Sequence, residues 1–357
     1  MKRDYDLVIV GGGIVGAWTL WLAQRRFPQW RILLVERFRN SEGATAHSAG
    51  VLLATGRTPR ERQLAALGAQ LYGEIRASLD LRTSAADVFW VTAAANAPAL
   101  REVAVDFTIH ETPVSPRALQ GRLPAPLELG ANEVLLRGGQ AVSHDPPSIA
   151  RALIEASLRA PQVYCVEGAG VRALARHKVG VEVRLEDGCA VYAARAVVAV
   201  GPWLVGEPFA QTFGALSSVR AVRIKKVVAL HVDRVPPPDA AAVFLPQADA
   251  YLMPLPLRKQ WLFSFRADEW DCRPLKHALE ISAQDREAAL RIVDRYGLGP
   301  HDAYRGGRVF CDAYTPTGEP LVERVPEAPI VLAGAGSGAG FRLSPGLAHE
   351  ALRLLTD

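Results

Sequence analysis

The chain opens with a few polar residues and then an unbroken apolar run, Leu7-Val8-Ile9-Val10, that stops at three consecutive glycines, Gly11 to Gly13. An apolar, β-branched run bounded by glycine reads as a strand buried on both faces. From Ile14 to about Phe27 apolar residues recur at helical spacing, and the pattern ends at Pro28. Arg31-Ile32-Leu33-Leu34-Val35 then reads as a second buried strand and completes a βαβ unit. Strand-like alternation returns between residues 162 and 203, at Val163–Val166, Val171–Leu174 and Val179–Leu185. After a turn at Asp187-Gly188 it reaches a further buried run, Ala196–Val200, which breaks at Gly201-Pro202-Trp203. Near the end, Ile330-Val331-Leu332-Ala333 predicts one more such strand, followed by Gly334, Gly336, Gly338 and Gly340 and a helix from about Ser344 to Leu355.

The glycines of the first unit carry chemistry. Gly11-x-Gly13-x-x-Gly16 has dinucleotide spacing: Gly11 for a tight turn, Gly13 for close approach of backbone to a pyrophosphate, Gly16 for helix–strand packing. Ile14 and Val15 open the helix whose N-terminus would receive the phosphates. Glu36 follows the second strand, placed to accept hydrogen bonds from both ribose hydroxyls of an adenosine. Its charge repels a 2′-phosphate, and the neighbouring Arg37 offsets this only slightly, so FAD or NAD is expected and NADP is not. An NAD dehydrogenase usually continues as one nucleotide domain followed by a catalytic domain. This chain instead returns twice to its first unit, which favours FAD. A second glycine-rich strand-to-helix turn, at 334–340, can bring backbone N–H groups against an electron-rich ring edge.

Composition narrows the picture further. At 357 residues, with 49% hydrophobic and 22% charged, the chain is long enough for about two globular units at roughly 150 residues each. A net charge of +4 with dispersed residues gives no electrostatic footprint for nucleic acid. The one basic run, Arg220, Arg223, Lys225 and Lys226, alternates with apolar residues and is expected to be a solvated strand face. Cys165, Cys189, Cys272 and Cys311 form no CxxC pair, which argues against a metal site and a disulfide framework and for a reducing compartment. No apolar run reaches the roughly 18 residues needed to span a bilayer, and a strand begins almost at once, so a cytoplasmic location is expected.

With these motifs in order, the chain resembles the D-amino-acid-oxidase-like flavoproteins, the branch containing glycine oxidase and sarcosine oxidase. Gly11 to Gly16 with Val35-Glu36-Arg37 is similar to that family's FAD fingerprint. Gly43-Ala44-Thr45-Ala46-His47-Ser48-Ala49-Gly50-Val51 resembles its small-residue loop under the pyrophosphate and beside the isoalloxazine. Asp187-Gly188 through Val197-Val198-Ala199-Val200-Gly201-Pro202-Trp203 is similar to a further family segment. Tyr251-Leu252-Met253-Pro254 resembles the strand lining the substrate cavity, and Gly336-Ser337-Gly338-Ala339-Gly340-Phe341-Arg342 the closing turn.

The resemblance implies an α/β fold: a Rossmann-like FAD domain from residues 1–80, 143–215 and 305–357, interleaved with a mixed or antiparallel-sheet substrate domain from 81–142 and 216–304. It implies FAD as cofactor, held by the residues quoted above together with Val171, Gly201 and Trp203. It also implies hydride transfer from an amine carbon to FAD, with hydrolysis of the resulting imine, on a small amino acid or N-substituted amino acid. Arg342 falls at the position of a carboxylate-binding cation, which a guanidinium can bind bidentately. Tyr251 would donate to the same carboxylate, Tyr314 would line the pocket, and Arg266 facing inward would favour a bulkier or dicarboxylic substrate. His47 and Cys311 are the two candidates for covalent flavin attachment. The family's flavin-facing lysine has no counterpart near Trp261-Leu262-Phe263-Ser264, and no His, Asp or Glu stands where a general base would be expected. Dioxygen, a quinone or a partner subunit are the candidate electron acceptors. A second reading is an FAD-binding subunit of a multi-subunit amine dehydrogenase with little activity alone, and a third an NAD-linked dehydrogenase. The segment from Val91 to Gln140, rich in Pro and Ala, leaves the substrate's identity and chirality open.

Overall fold

A computed structural model describes residues 4–274 and 279–356, which form two eight-stranded sheets with helices packed against them. In the first sheet, strands Ile330–Gly334, Ala190–Val198, Tyr5–Val10, Ile32–Val35 and Val163–Val166 run parallel in that order. Leu321–Arg324 is added antiparallel at one edge, and the hairpin Val171–His177/Gly180–Leu185 pairs with Ala190–Val198. Leu7 to Val10 are buried on both faces, which is why that run shows no alternation. Helix Ile14–Arg26 covers one face with Trp18, Leu20 and Trp21 and packs beside helices Pro146–Ser157 and Gly340–Thr356. The predicted βαβ unit and the strands of residues 163–200 and 330–333 are all present.

The C-terminal helix starts at Gly340, four residues before the expected Ser344, and carries Pro345 inside it. Proline removes the helical donor to the carbonyl four residues back, here that of Phe341. That carbonyl accepts from the Tyr72 hydroxyl at 2.9 Å and the Ser344 hydroxyl at 2.7 Å instead, so the helix tolerates the proline.

The second sheet runs Tyr304–Tyr314, Arg223–Val232, Gln260–Phe265, Ala250–Leu255, Ala242–Leu245, Ser84–Ala93, Glu133–Ser143, Val51–Leu52. Every neighbouring pair is antiparallel except Ala242–Leu245 with Ser84–Ala93, making this the mixed sheet. Residues 305–314, expected with the nucleotide part, pair here with Arg223–Val232, and Val51–Leu52 joins through Glu133–Ser143. Strand pairing rather than chain order thus assigns both segments to this sheet.

The basic run is not a solvated face. Arg223 is exposed and pairs with Asp271 at 2.7 Å, but Lys225 and Lys226 are 6% and 4% exposed. Both faces of this strand are covered. Lys226 points to helix Ala283–Arg295 and pairs with Asp285 at 2.8 Å and with Glu269 at 2.9 Å. Lys225 points the other way.

Candidate active site

A cavity of about 630 Å³ is lined by residues of both sheets and by both glycine-rich turns. At one end lies the first turn. Gly11 has φ +106°, and a Cβ there would stand 2.5 Å from the Ala199 carbonyl oxygen. One on Gly16 would meet the Gly11 carbonyl oxygen at 1.8 Å, so helix and turn pack with no room for a side chain. Gly13 caps helix Ile14–Arg26, whose first N–H, from Ile14, donates to Thr45 Oγ1 at 2.9 Å. The Thr45 hydroxyl therefore marks where an anion would meet that helix end.

Glu36 holds the end of the second strand in place. Its Oε2 accepts the Gly12 N–H at 2.6 Å and its Oε1 the Phe38 N–H at 2.8 Å. Burial raises its pKa, and these N–H groups oppose the shift. Arg37 lines the cavity beside it and pairs with Glu186 at 3.2 Å. Val15, Val171, Gly201 and Trp203 complete this end, with Trp203 edge-on to Phe38 at 6.3 Å. From the loop after the second strand, Ala44, Thr45, His47, Gly50 and Val51 line the wall, whereas Gly16 and Ala46 do not.

At the other end, Gly336, Gly338, Ala339, Gly340, Phe341 and Arg342 enter the wall from the closing turn. Ala335 and Ser337 adopt left-handed backbone there, at φ +45° and +49°, a strained conformation for residues with a Cβ. The strand Tyr304–Tyr314 ties the turn down: Gly338 N–H donates to Asp312 Oδ2 at 3.0 Å and Ser337 N–H to the Ala313 carbonyl at 3.1 Å.

Arg342, Tyr251, Tyr314 and Arg266 all line this cavity. The Nε of Arg342 has no hydrogen-bond partner among the described residues, and burial lowers its pKa against the pull of Glu61. Tyr251 stacks on Phe244 at 5.2 Å, and Phe244 packs at a tilt against Trp90 at 5.0 Å, which makes one side of the cavity an aromatic wall. Burial raises the pKa of both Tyr251 and Tyr314, so each stays a hydroxyl donor at neutral pH. Arg266 sits at the rim, exposed, and is held by Asp268 at 3.2 Å.

Cys311 is placed away from the cavity. Phe310, Asp312 and Tyr314 face it on alternate positions, which turns Cys311 into the opposite core, where burial pushes its thiol up to about 12. Attachment of flavin through Cys311 is therefore excluded by strand phase. His47 does line the cavity, stacked near Phe310 at 6.1 Å, and desolvation beside Arg308 lowers its pKa.

Among the charged groups in the wall that sequence reasoning missed are Arg57, Lys225, Asp249 and Asp312. Arg57 precedes helix Pro59–Ser78 and is held by the buried Glu61 at 3.0 Å, an i,i+4 pair after a Thr58 cap that was readable in Thr58-Pro59-Arg60-Glu61. Asp312 is the carboxylate that the sequence did not offer as an acid or base; burial raises its pKa while Gly338 and Ala313 N–H groups oppose it. Only the register Lys225↔Asp312 reveals that these two share the cavity face.

The residues at the first turn fit FAD: a glycine whose Cβ would strike the Ala199 carbonyl, a helix N-terminus and a carboxylate, all on one long cavity. A family model described as FAD dependent oxidoreductase, DAO, matches residues 6–354. None of the curated proteins matches the chain by sequence. Among solved structures it is similar to L-proline dehydrogenase from P. horikoshii, with TM-score 0.80 and 13% identity over 100% of this chain and 94% of that one. It is similar to glycine oxidase from Geobacillus kaustophilus at TM-score 0.74 and 20% identity, covering 99% and 95%. It is also similar to FAD-bound L-alpha-glycerophosphate oxidase from Mycoplasma pneumoniae at 0.78 and 16%, covering 100% and 96%. These likenesses establish the fold, and the family model, spanning nearly all of the chain, establishes that this protein belongs to the DAO family of FAD-dependent oxidoreductases.

Proposed function

We propose that the protein dehydrogenates the carbon–nitrogen bond of a small amino acid or N-substituted amino acid. The observation that carries this reading is Arg342, a half-buried guanidinium in the cavity wall whose Nε has no partner, beside the hydroxyl-bearing Tyr251. A carboxylate supplies what that guanidinium lacks. FAD, when bound, would supply a two-electron acceptor for the hydride of the amine C–H, and the imine left behind would be hydrolysed by water to a carbonyl compound and ammonia or a free amine. Arg342 and Tyr251 orient the substrate by its carboxylate, and Trp90, Phe244 and Leu262 keep the reacting carbon in an apolar wall. Asp312 takes the proton that an ammonium substrate must lose. The solved neighbours include a glycine oxidase and an L-proline dehydrogenase, both acting on amino acids by name, which supports the same class here. The four free cysteines fit a cytoplasmic setting, and no helix among the described residues is long and apolar enough to cross a membrane.

Replacing the anchor tests the reading. Arg342→Gln should raise KM for the amino acid by about a hundredfold, as expected for loss of a charge-assisted bidentate contact, with kcat changed far less. An unchanged KM would remove Arg342 from the substrate site.

A further inference from the structure

One buried cation of the cavity wall, Lys225, has no direct ion-pair partner among the described residues. Among the described residues, Arg57 is neutralised by Glu61 at 3.0 Å and Arg266 by Asp268 at 3.2 Å. Lys226, next in the chain, is paired twice on the opposite face, at 2.8 and 2.9 Å. Lys225 is 6% exposed, lines the cavity and makes no ion pair among the described residues. Its Nζ lies 5.3 Å from the Trp270 ring and 5.4 Å from the Tyr314 ring. Two aromatic faces partly compensate a desolvated ammonium, but they satisfy none of its three donors. Asp312, its cross-strand neighbour, accepts one N–H on each oxygen, from Ala313 and Gly338, and makes no ion pair with Lys225. Asp249, also in the wall, is exposed and acts on Lys225 through its charge without a direct ion pair.

A buried ammonium with free donors facing a cavity is costly unless a ligand completes it. Tyr314 links this cation to the other unpaired one: its ring meets Lys225, and its hydroxyl lies against Gly338, in the turn that leads to Arg342. The cavity wall therefore presents two cations, Lys225 and Arg342, without a direct ion-pair partner among the described residues.

We propose that the substrate carries two anionic groups, being an amino acid with a second carboxylate on its side chain or N-substituent, and that Lys225 binds the second one. This rests on the reading of Arg342 as the anchor for the first. The exposed, already paired Arg266 is not needed for it.

The test is made by binding, so that it does not depend on turnover. Purified protein with FAD bound is titrated with glutarate and, separately, with butyrate, and the perturbation of the flavin absorbance is followed. Glutarate should bind about tenfold more tightly than butyrate, the factor expected for one added charge-assisted contact. Lys225→Met and Lys225→Gln, which remove the charge while keeping length, should each reduce that advantage to about twofold or less. Equal affinities in the unmodified protein would overturn the proposal, as would an advantage that survives removal of the charge. If glutarate binds preferentially through Lys225 while no amino acid reduces the flavin, the second anion site stands and the amine reading fails. If amino acids with a single carboxylate reduce the flavin and glutarate shows no preference, the amine reading stands and the second site fails.

Discussion

Tyr72 donates its hydroxyl to the main-chain carbonyl of Phe341, 269 residues away, at 2.9 Å. The carbonyl needs that donor because Pro345 cannot provide one, and the next residue after Phe341 is Arg342. A tyrosine on helix Pro59–Ser78 thus braces the first turn of the helix that presents Arg342, the guanidinium proposed to bind the substrate. Tyr72→Phe should lower stability by about 1 kcal/mol, the usual net worth of one buried hydrogen bond, because Ser344 still serves the carbonyl. Chemical denaturation of the two proteins measures the difference, and an unchanged midpoint would show that Ser344 alone suffices.

His144 is 7% exposed, packed between Tyr72 at 5.6 Å and Phe341 at 6.0 Å, and neither ring nitrogen has a hydrogen-bond partner among the described residues. Burial, with Arg76 adding to it, pushes its pKa down to about 4. The unfolded chain binds a proton near pH 6.5 and the folded one only near 4, so stability falls as pH drops through that window and is fully present above it. The loss approaches about 3 kcal/mol at the acid end. His144→Phe should flatten the dependence of the unfolding midpoint on pH between roughly 6.5 and 4. An equally steep dependence in the variant would assign it elsewhere.

Gly11→Ala should abolish FAD retention. Its positive φ and the 2.5 Å approach of a Cβ to the Ala199 carbonyl oxygen leave the turn no unstrained alternative. The check is the flavin-to-protein absorbance ratio after purification, and a variant as yellow as the parent would contradict the placement of the nucleotide at this turn.

Cys311→Ser should leave untouched any flavin that stays with the chain after acid precipitation, since the thiol faces the core opposite the cavity. A yellow pellet that turns colourless on that substitution would contradict the strand phase; one that turns colourless on His47→Ala would identify the linking residue.

Much of the nucleotide end was legible before any coordinates, because glycine spacing, a buried apolar run and a terminal carboxylate are each local patterns. The closing turn was legible for the same reason. The substrate end was less so. The run 304–314 shows no clean alternation in its residues, so which set faces the cavity is fixed only by pairing with Arg223–Val232, and a shift of one residue would exchange Cys311 for Asp312. Lys225 and Lys226 read as a solvated face because a buried lysine is rare, and only helix Ala283–Arg295 behind and the cavity in front show that both sides are covered.

The most direct measurement of the central claim is anaerobic reduction of the protein-bound flavin across a panel of D-, L- and N-methyl amino acids, read as bleaching of the yellow absorbance. At least one amino acid should bleach the flavin completely and yield a stoichiometric carbonyl product, whereas the same compound lacking its amine should not. A yellow protein that no amino acid or amine reduces, yet that dithionite bleaches, would contradict oxidation at a carbon–nitrogen bond by this chain alone.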